Sequence, residues 1–184
     1  MEALSLQTLE QGLERIRQSP ADRGVVEMIV RRPGTDEREV VPEAELDLAQ
    51  GMIGDDWKRR GSSKTPDGSA HPELQLTIMN ARVIALLAQE REHWKLAGDQ
   101  LFLDLDLSTA NLPPGTRLEI GSSVVEVTAL PHNGCNKFCD RFGADALKFV
   151  NSPTGKELHL RGINAKVIRP GVVRVGDVAR KLAA

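Results

Sequence analysis

Apolar residues recur along this chain with two periods. Leu6, Leu9, Leu13 and Ile16 stand three and four apart, the spacing of one helix face, and Ser19-Pro20 ends the run. Val25–Arg32 is rich in β-branched residues, Pro33-Gly34 reads as a turn, and Arg38–Val41 reads as the returning strand. A long loop with glycines and many charges follows, from Gly51 to Ser69. Leu74–Met79 predicts a strand. Asn80 predicts the cap of a helix from Ala81 to about Glu90, because Val83, Ile84, Leu87 and Ala88 share one face. Leu101–Leu107 alternates apolar and acidic residues, the pattern of a half-exposed strand. Arg117–Ile120 and Val124–Thr128 predict a hairpin around Gly121-Ser122-Ser123. A helical stretch spans Cys135 to Val150, broken at Gly143. Three short strands close the chain at Gly162–Ile168, Val172–Val175 and Val178–Leu182. Eight to ten short strands with few helices predict a β-rich α+β fold, a barrel or sandwich rather than a parallel α/β sheet. Residues 1–20 read as an N-terminal accessory helix and 21–184 as the main domain.

The chain has 184 residues, 24 Lys plus Arg against 26 Asp plus Glu, two Cys and no Tyr. This length buries a sizeable core without a disulfide or a structural metal. The net charge of −2 gives no basic footprint for nucleic acid or an anionic membrane. No apolar run is long enough to span a bilayer, and Met1-Glu2-Ala3-Leu4 lacks the basic start of a signal peptide. Two Cys make no disulfide framework, so the expectation is a cytoplasmic protein with reduced thiols. No nucleophile elbow, phosphate-binding P-loop or dinucleotide fingerprint is present.

The segment richest in chemistry is Pro131-His132-Asn133-Gly134-Cys135-Asn136-Lys137-Phe138-Cys139, which runs on to Arg141. It follows a strand and opens a helix, with Asn133 as the expected cap and Cys135 in the first turn. Unpaired backbone N–H groups there, together with His132, Lys137 and Arg141, favour a thiolate, the form that attacks or binds a soft metal. The opposing reading is packing. Cys135, Phe138, Cys139 and Phe142 share one helix face, and free Cys is commonly buried. His132, Cys135 and Cys139 also allow zinc, although a fourth ligand is missing. Asp55 lies in the glycine loop, and Lys58, Arg59 and Arg60 beside it could hold a phosphate or form a solvated face. Asp104 and Asp106 point to one strand face, which reads as a solvent face ahead of a carboxylate pair. Arg161 could fork onto an anion or make a structural ion pair.

These residues, in this order, resemble a MOSC domain, named for the C-terminal domain of molybdenum cofactor sulfurase. The resemblance spans Glu39 to Leu182. It rests on Gly51-Met52-Ile53-Gly54-Asp55, on Asn111–Gly121 with its Pro113-Pro114-Gly115 turn, and on Val125–Thr128 leading to Gly134-Cys135-Asn136-Lys137-Phe138. The closing Gly171–Asp177 completes it. The resemblance implies a MOSC-type β-barrel with a few peripheral helices. It implies that Cys135 is the functional residue, as ligand to molybdenum in a bound molybdopterin cofactor or as carrier of a persulfide. Asp55, Lys58, Arg59, Lys137, Arg141 and Arg161 are then the expected cofactor-binding residues. The expected activity is a molybdenum-cofactor-dependent reductase or a sulfur transferase, with a cysteine desulfurase or a redox protein as partner. A non-catalytic binding module is the third reading. No pyridoxal-phosphate domain is present in this chain. Two positions depart from the family pattern. Gly98-Asp99-Gln100 stands where relatives carry Arg-x-Asn, and Asp56 where Arg is common. Both changes remove positive charge from the expected site of an anionic cofactor.

Overall fold

The computed structural model describes residues 2–183. Eleven strands and seven α-helices are present among them. Strands β1 (Arg23–Arg31), β6 (Leu101–Asp104), β5 (Leu76–Asn80), β9 (Ile163–Arg169), β8 (Ser123–Val127), β7 (Arg117–Ile120) and β11 (Val178–Lys181) pair in that order. The β11–β1 pairing closes them into a seven-stranded barrel, so the barrel itself has no free edge. All barrel pairings are antiparallel except β5–β6. A parallel pair needs a crossover. Here α4 (Ala81–Ala88) and a 3-10 helix (Arg91–Ala97) supply it. Strand β2 (Glu39–Val41) flanks β1. A second sheet orders β10 (Gly171–Arg174), β3 (Glu43–Asp47) and β4 (Gly51–Met52).

The strands carry two cores, one on each face. Val26, Ile29, Leu76, Ile78, Leu101, Leu103, Leu118, Ile120, Val125, Ile163 and Ala165 fill the barrel. Met28, Val30, Met79 and Phe102 point outward into a second core, closed by Leu9, Ile16, Val83, Ile84, Trp94, Phe138, Phe142 and Phe149 from the helices. A register shift between Val26 and Met28 changes the parity of β1, so that Val26 faces the barrel interior while Met28, two residues on, faces the second core. Each of the buried Val, Leu, Ile, Met and Phe side chains contributes about 1.5–3 kcal/mol of transfer free energy. The barrel agrees with the strand pattern and with the fold expected of the MOSC family.

Several local readings hold. Asn80 caps α4, its side chain accepting from the Arg82 and Val83 N–H groups. Gly143 separates α5 (Asn136–Phe142) from α6 (Ala144–Asn151). Three readings change. The β6 region is not half-exposed, because Leu101, Leu103, Leu105 and Leu107 are buried on one side and Phe102 on the other. Asp104 and Asp106 form no carboxylate pair: Asp104 binds Arg82 at 2.7 Å, and Asp106 accepts from Ser108. The N-terminal helix is two, α1 (Leu6–Gln11) and α2 (Leu13–Arg17), joined at Gly12. Leu9 and Ile16 dock them on the second core, and Asp145 accepts from the Leu6 N–H.

Candidate functional site

Cys135 stands at the entrance to α5, on the loop that leaves β8. Asn164 of β9 donates to the Leu130 carbonyl at 2.9 Å, which fixes the start of this loop. Asn151 at the end of α6 grips its far end, accepting from the Gly134 N–H at 2.9 Å and donating to the Gly134 carbonyl at 3.1 Å. A Cβ on Gly134 would come within 3 Å of the Leu147 and Val150 methyls, so a larger residue there would make the α6 side chains shift. Cys135 itself is the cap residue, with extended backbone, and its carbonyl accepts from the Phe138 and Cys139 N–H groups at 3.0 Å. The expected cap, Asn133, lies two residues too early. The Cys135 side chain makes no capping bond and is exposed, whereas Cys139 is half-buried. Packing therefore does not account for Cys135. Phe138 and Phe142 alone fill the core from this helix face, with their rings 4.8 Å apart.

Beneath this entrance, arginines gather on one short segment. The 3-10 helix ends at Gly98, whose φ of +81° is a left-handed cap. Helix ends leave carbonyls without intrahelical partners, and these attract cations. Arg141 donates to the Leu96 carbonyl at 2.9 Å, Arg161 to that of Ala97 at 3.1 Å and Arg32 to that of Gly98 at 3.1 Å. Two of these arginines also hold buried carboxylates. Arg161 meets Asp99 at 2.6 Å, and Arg32 takes Asp55 in a fork of 2.8 and 2.9 Å. The Arg161 guanidinium also lies 5.0 Å from the centre of the Phe138 ring, so the strut reaches the helix that Cys135 opens.

His132 completes the buried cluster, with Nδ1 3.5 Å from Asp99 Oδ1. Burial, followed by the charges of Arg161, Arg32 and Lys64, pushes its pKa well below the usual 6.5. His132 is thus neutral at pH 7 and adds no positive potential, contrary to the expectation. Burial pushes the Asp99 carboxyl up, against the pull of Arg161. Among the described residues, His132 Nδ1, Asp99 Oδ1 and Arg161 Nε have no hydrogen-bond partner.

The structure spreads the other expected site residues unevenly. Lys137 and Arg141 lie on α5, within one and two turns of Cys135 respectively, and share Asp36 at 3.7 and 3.0 Å. Arg161 and Asp55 are committed to the buried pairs above. Lys58 lies over the Trp57 ring at 5.7 Å, and Arg59 donates to the Pro33 carbonyl at 2.7 Å. Arg60 pairs with Asp56 at 2.6 Å. His132, Cys135 and Cys139 do not assemble into a metal cluster. Among the described residues the one such grouping is Glu90, Glu92 and His93. Sequence reasoning missed Arg32, Arg38 and the pairing role of Asp99. The signal available was Gly98-Asp99: a helix-ending glycine followed by a carboxylate in a strand run, which calls for a buried cation.

A MOSC domain model matches residues 65–180. No curated protein matches the chain. Among solved structures, the YuaD protein of Bacillus subtilis is similar with a TM-score of 0.60 and 16% identity, over 86% of this chain and 96% of that one. YiiM of Geobacillus stearothermophilus gives 0.59 and 15%, over 88% and 75%. YiiM of Escherichia coli gives 0.56 and 18%, over 87% and 70%. At these identities the likeness concerns the fold.

Proposed function

This chain belongs to the MOSC domain family, and from that premise we propose that it binds molybdenum cofactor with the Cys135 thiolate as the metal ligand. The observation that carries the reading is an exposed thiol at the entrance to α5, held by Asn151 and Asn164 yet engaged in no bond of its own. Thiolate is a soft donor suited to such a metal. The surroundings suit an anionic group as well. The family's Arg-x-Asn is replaced by Gly98-Asp99-Gln100, but Arg32, Arg38, Arg141 and Arg161 bring guanidinium groups to that same segment from elsewhere in the chain. Lys137 and Arg141 are the expected cofactor-binding residues that remain near Cys135, while Asp55 and Arg161 hold the ground beneath it.

When bound, the cofactor would supply two-electron redox chemistry. This chain's own residues would position it. Cys135 would ligate the metal, the Arg161–Asp99 strut and Phe138 fix the helix that presents Cys135, and neutral His132 keeps further positive charge out of the buried cluster. The test is the molybdenum and pterin content of the protein purified from a host that makes the cofactor, beside Cys135→Ala. The reading expects both in the parent and neither in the variant. The same exposure of Cys135 also favours a sulfur-carrier reading, in which Cys135 takes a persulfide from a cysteine desulfurase. An empty parent with a mass gain of one sulfur on Cys135 would establish that instead.

A further inference from the structure

We propose that Arg38 and Arg141 form a clamp for a single oxyanion of the phosphate class, with the Asp36 carboxylate as its resident competitor. The clamp deepens the cofactor reading, on which it rests for the identity of the ligand but not for the existence of the site.

Two guanidinium groups converge on one point. A Cβ on Gly98 would lie 3.4 and 3.5 Å from Arg38 Nη2 and Nε, and 3.7 Å from Arg141 Nη1. Like charges gather this closely only when an anion or a structural need holds them. For their neighbours the need is visible. Arg32 is matched by Asp55, Arg161 by Asp99 and Arg60 by Asp56. Arg38 stands in no ion pair among the described residues. Its Nη1 reaches only the adjacent Glu37 carbonyl, and its Nε–H is buried without an acceptor. Burial and then the neighbouring charges of Arg141 and Arg32 bear against it, offset in part by the charges of Asp36 and Asp56. A buried charged donor without an acceptor is costly, and a ligand oxygen removes the cost.

The carboxylate nearby is too small a counterweight. Asp36 alone serves both Arg141 Nη2, at 3.0 Å, and Lys137 Nζ, at 3.7 Å. Its side chain is 60% exposed, and its backbone φ of +60° lies in the left-handed region, where Asp is tolerated with some strain. Three cations therefore face one exposed carboxylate. A tetrahedral oxyanion has oxygens enough to take the Arg38 Nε–H and Nη2–H together and still meet Arg141 and Lys137, which a fork onto one carboxylate does not offer. Gly98 leaves the space, since a side chain there would fill the point where the two guanidiniums meet. The cluster is a point, not a stripe, which fits one phosphate group rather than a nucleic-acid backbone.

Calorimetric titration of the full chain with inorganic phosphate, at constant ionic strength, tests the clamp. The parent binds phosphate. Arg38→Gln and Arg141→Gln each weaken binding by about tenfold, the scale of a lost charge-assisted hydrogen bond. Arg38→Lys, which keeps the charge and loses the fork, falls between. Asp36→Asn tightens binding. Arg174→Gln, an equal charge change on β10, leaves it unaltered. A parent that does not bind phosphate overturns the proposal, as does an equal loss in Arg174→Gln or weaker binding in Asp36→Asn. Cys135→Ala keeps phosphate affinity, so a parent that binds phosphate but holds no molybdenum sinks the cofactor reading alone, and a parent that holds molybdenum but does not bind phosphate sinks the clamp alone. In protein from a cofactor-producing host, a fall in pterin content in Arg38→Gln assigns the clamp to the cofactor's phosphate. Unchanged content assigns it to a separate phosphate-bearing ligand.

Discussion

Arg161 and Arg38 approach the same few residues of the chain and end in opposite conditions. Arg161 is buried, forks between Asp99 and the Ala97 carbonyl, and lies against Phe138. Arg38 is half-buried near Gly98, with no carboxylate partner and an idle Nε–H. The first region is a closed set of charges whose work is to hold backbone. The second is an open set: Arg141 and Lys137 share the single exposed carboxylate of Asp36, and Arg38 has no ion pair among the described residues. A paired buried arginine points to structure, and an unpaired one points to a ligand. The residue type alone separates neither.

The largest expected effect comes from breaking the closed set. Arg161→Ala leaves Asp99 buried without its partner and is expected to cost about 3–5 kcal/mol in urea denaturation. A loss below about 1 kcal/mol would show that the strut is not structural. Next in size is an effect of pH. His132 has a folded pKa depressed below 6.5 by burial and by Arg161, Arg32 and Lys64. As pH falls below 6.5 the unfolded chain takes up this proton first, so stability present above 6.5 is lost on acidification until pH reaches the folded value. The denaturation midpoint of the parent should drop between pH 7 and 5, and His132→Gln should flatten that slope. An unchanged slope would place His132 outside the buried cluster.

A smaller effect separates the two thiols. Cys135 is exposed and Cys139 half-buried, so peptide mapping after brief iodoacetamide treatment should find the label on Cys135 first. Equal labelling would remove the accessibility difference on which the site rests. The smallest effect belongs to the open set. Arg38→Gln should change stability by no more than about 0.5 kcal/mol. A loss as large as that of Arg161→Ala would make Arg38 a strut as well and erase the contrast.

Much of the fold was legible along the chain, for local reasons. Asn80 before an apolar face, the helix break at Gly143 and the Gly121 hairpin depend on residues a few positions apart. The short β3 was not legible, because Glu43-Ala44-Glu45-Leu46-Asp47 buries only Ala44 and Leu46, and alanine makes a faint stripe. The reading of Leu101–Leu107 as half-exposed failed for a different reason. The alternation is real, but helices cover the outer face at Phe102, and only the assembled barrel shows that. At the site, the sequence singled out Cys135 and its neighbours on α5, since a helix entrance is a local feature.

Which arginines are struts and which are free could not be read from the chain. Arg161 and Asp99 are 62 positions apart, and Arg141 and Asp36 are 105 apart. By itself the sequence determined most of the barrel strands, the helix entrance and the thiol placed there. The tertiary structure decided which charges meet. Backbone propensity acts over a few residues, whereas Coulomb attraction and desolvation depend on distance and burial through space, and these exist only once the barrel has closed.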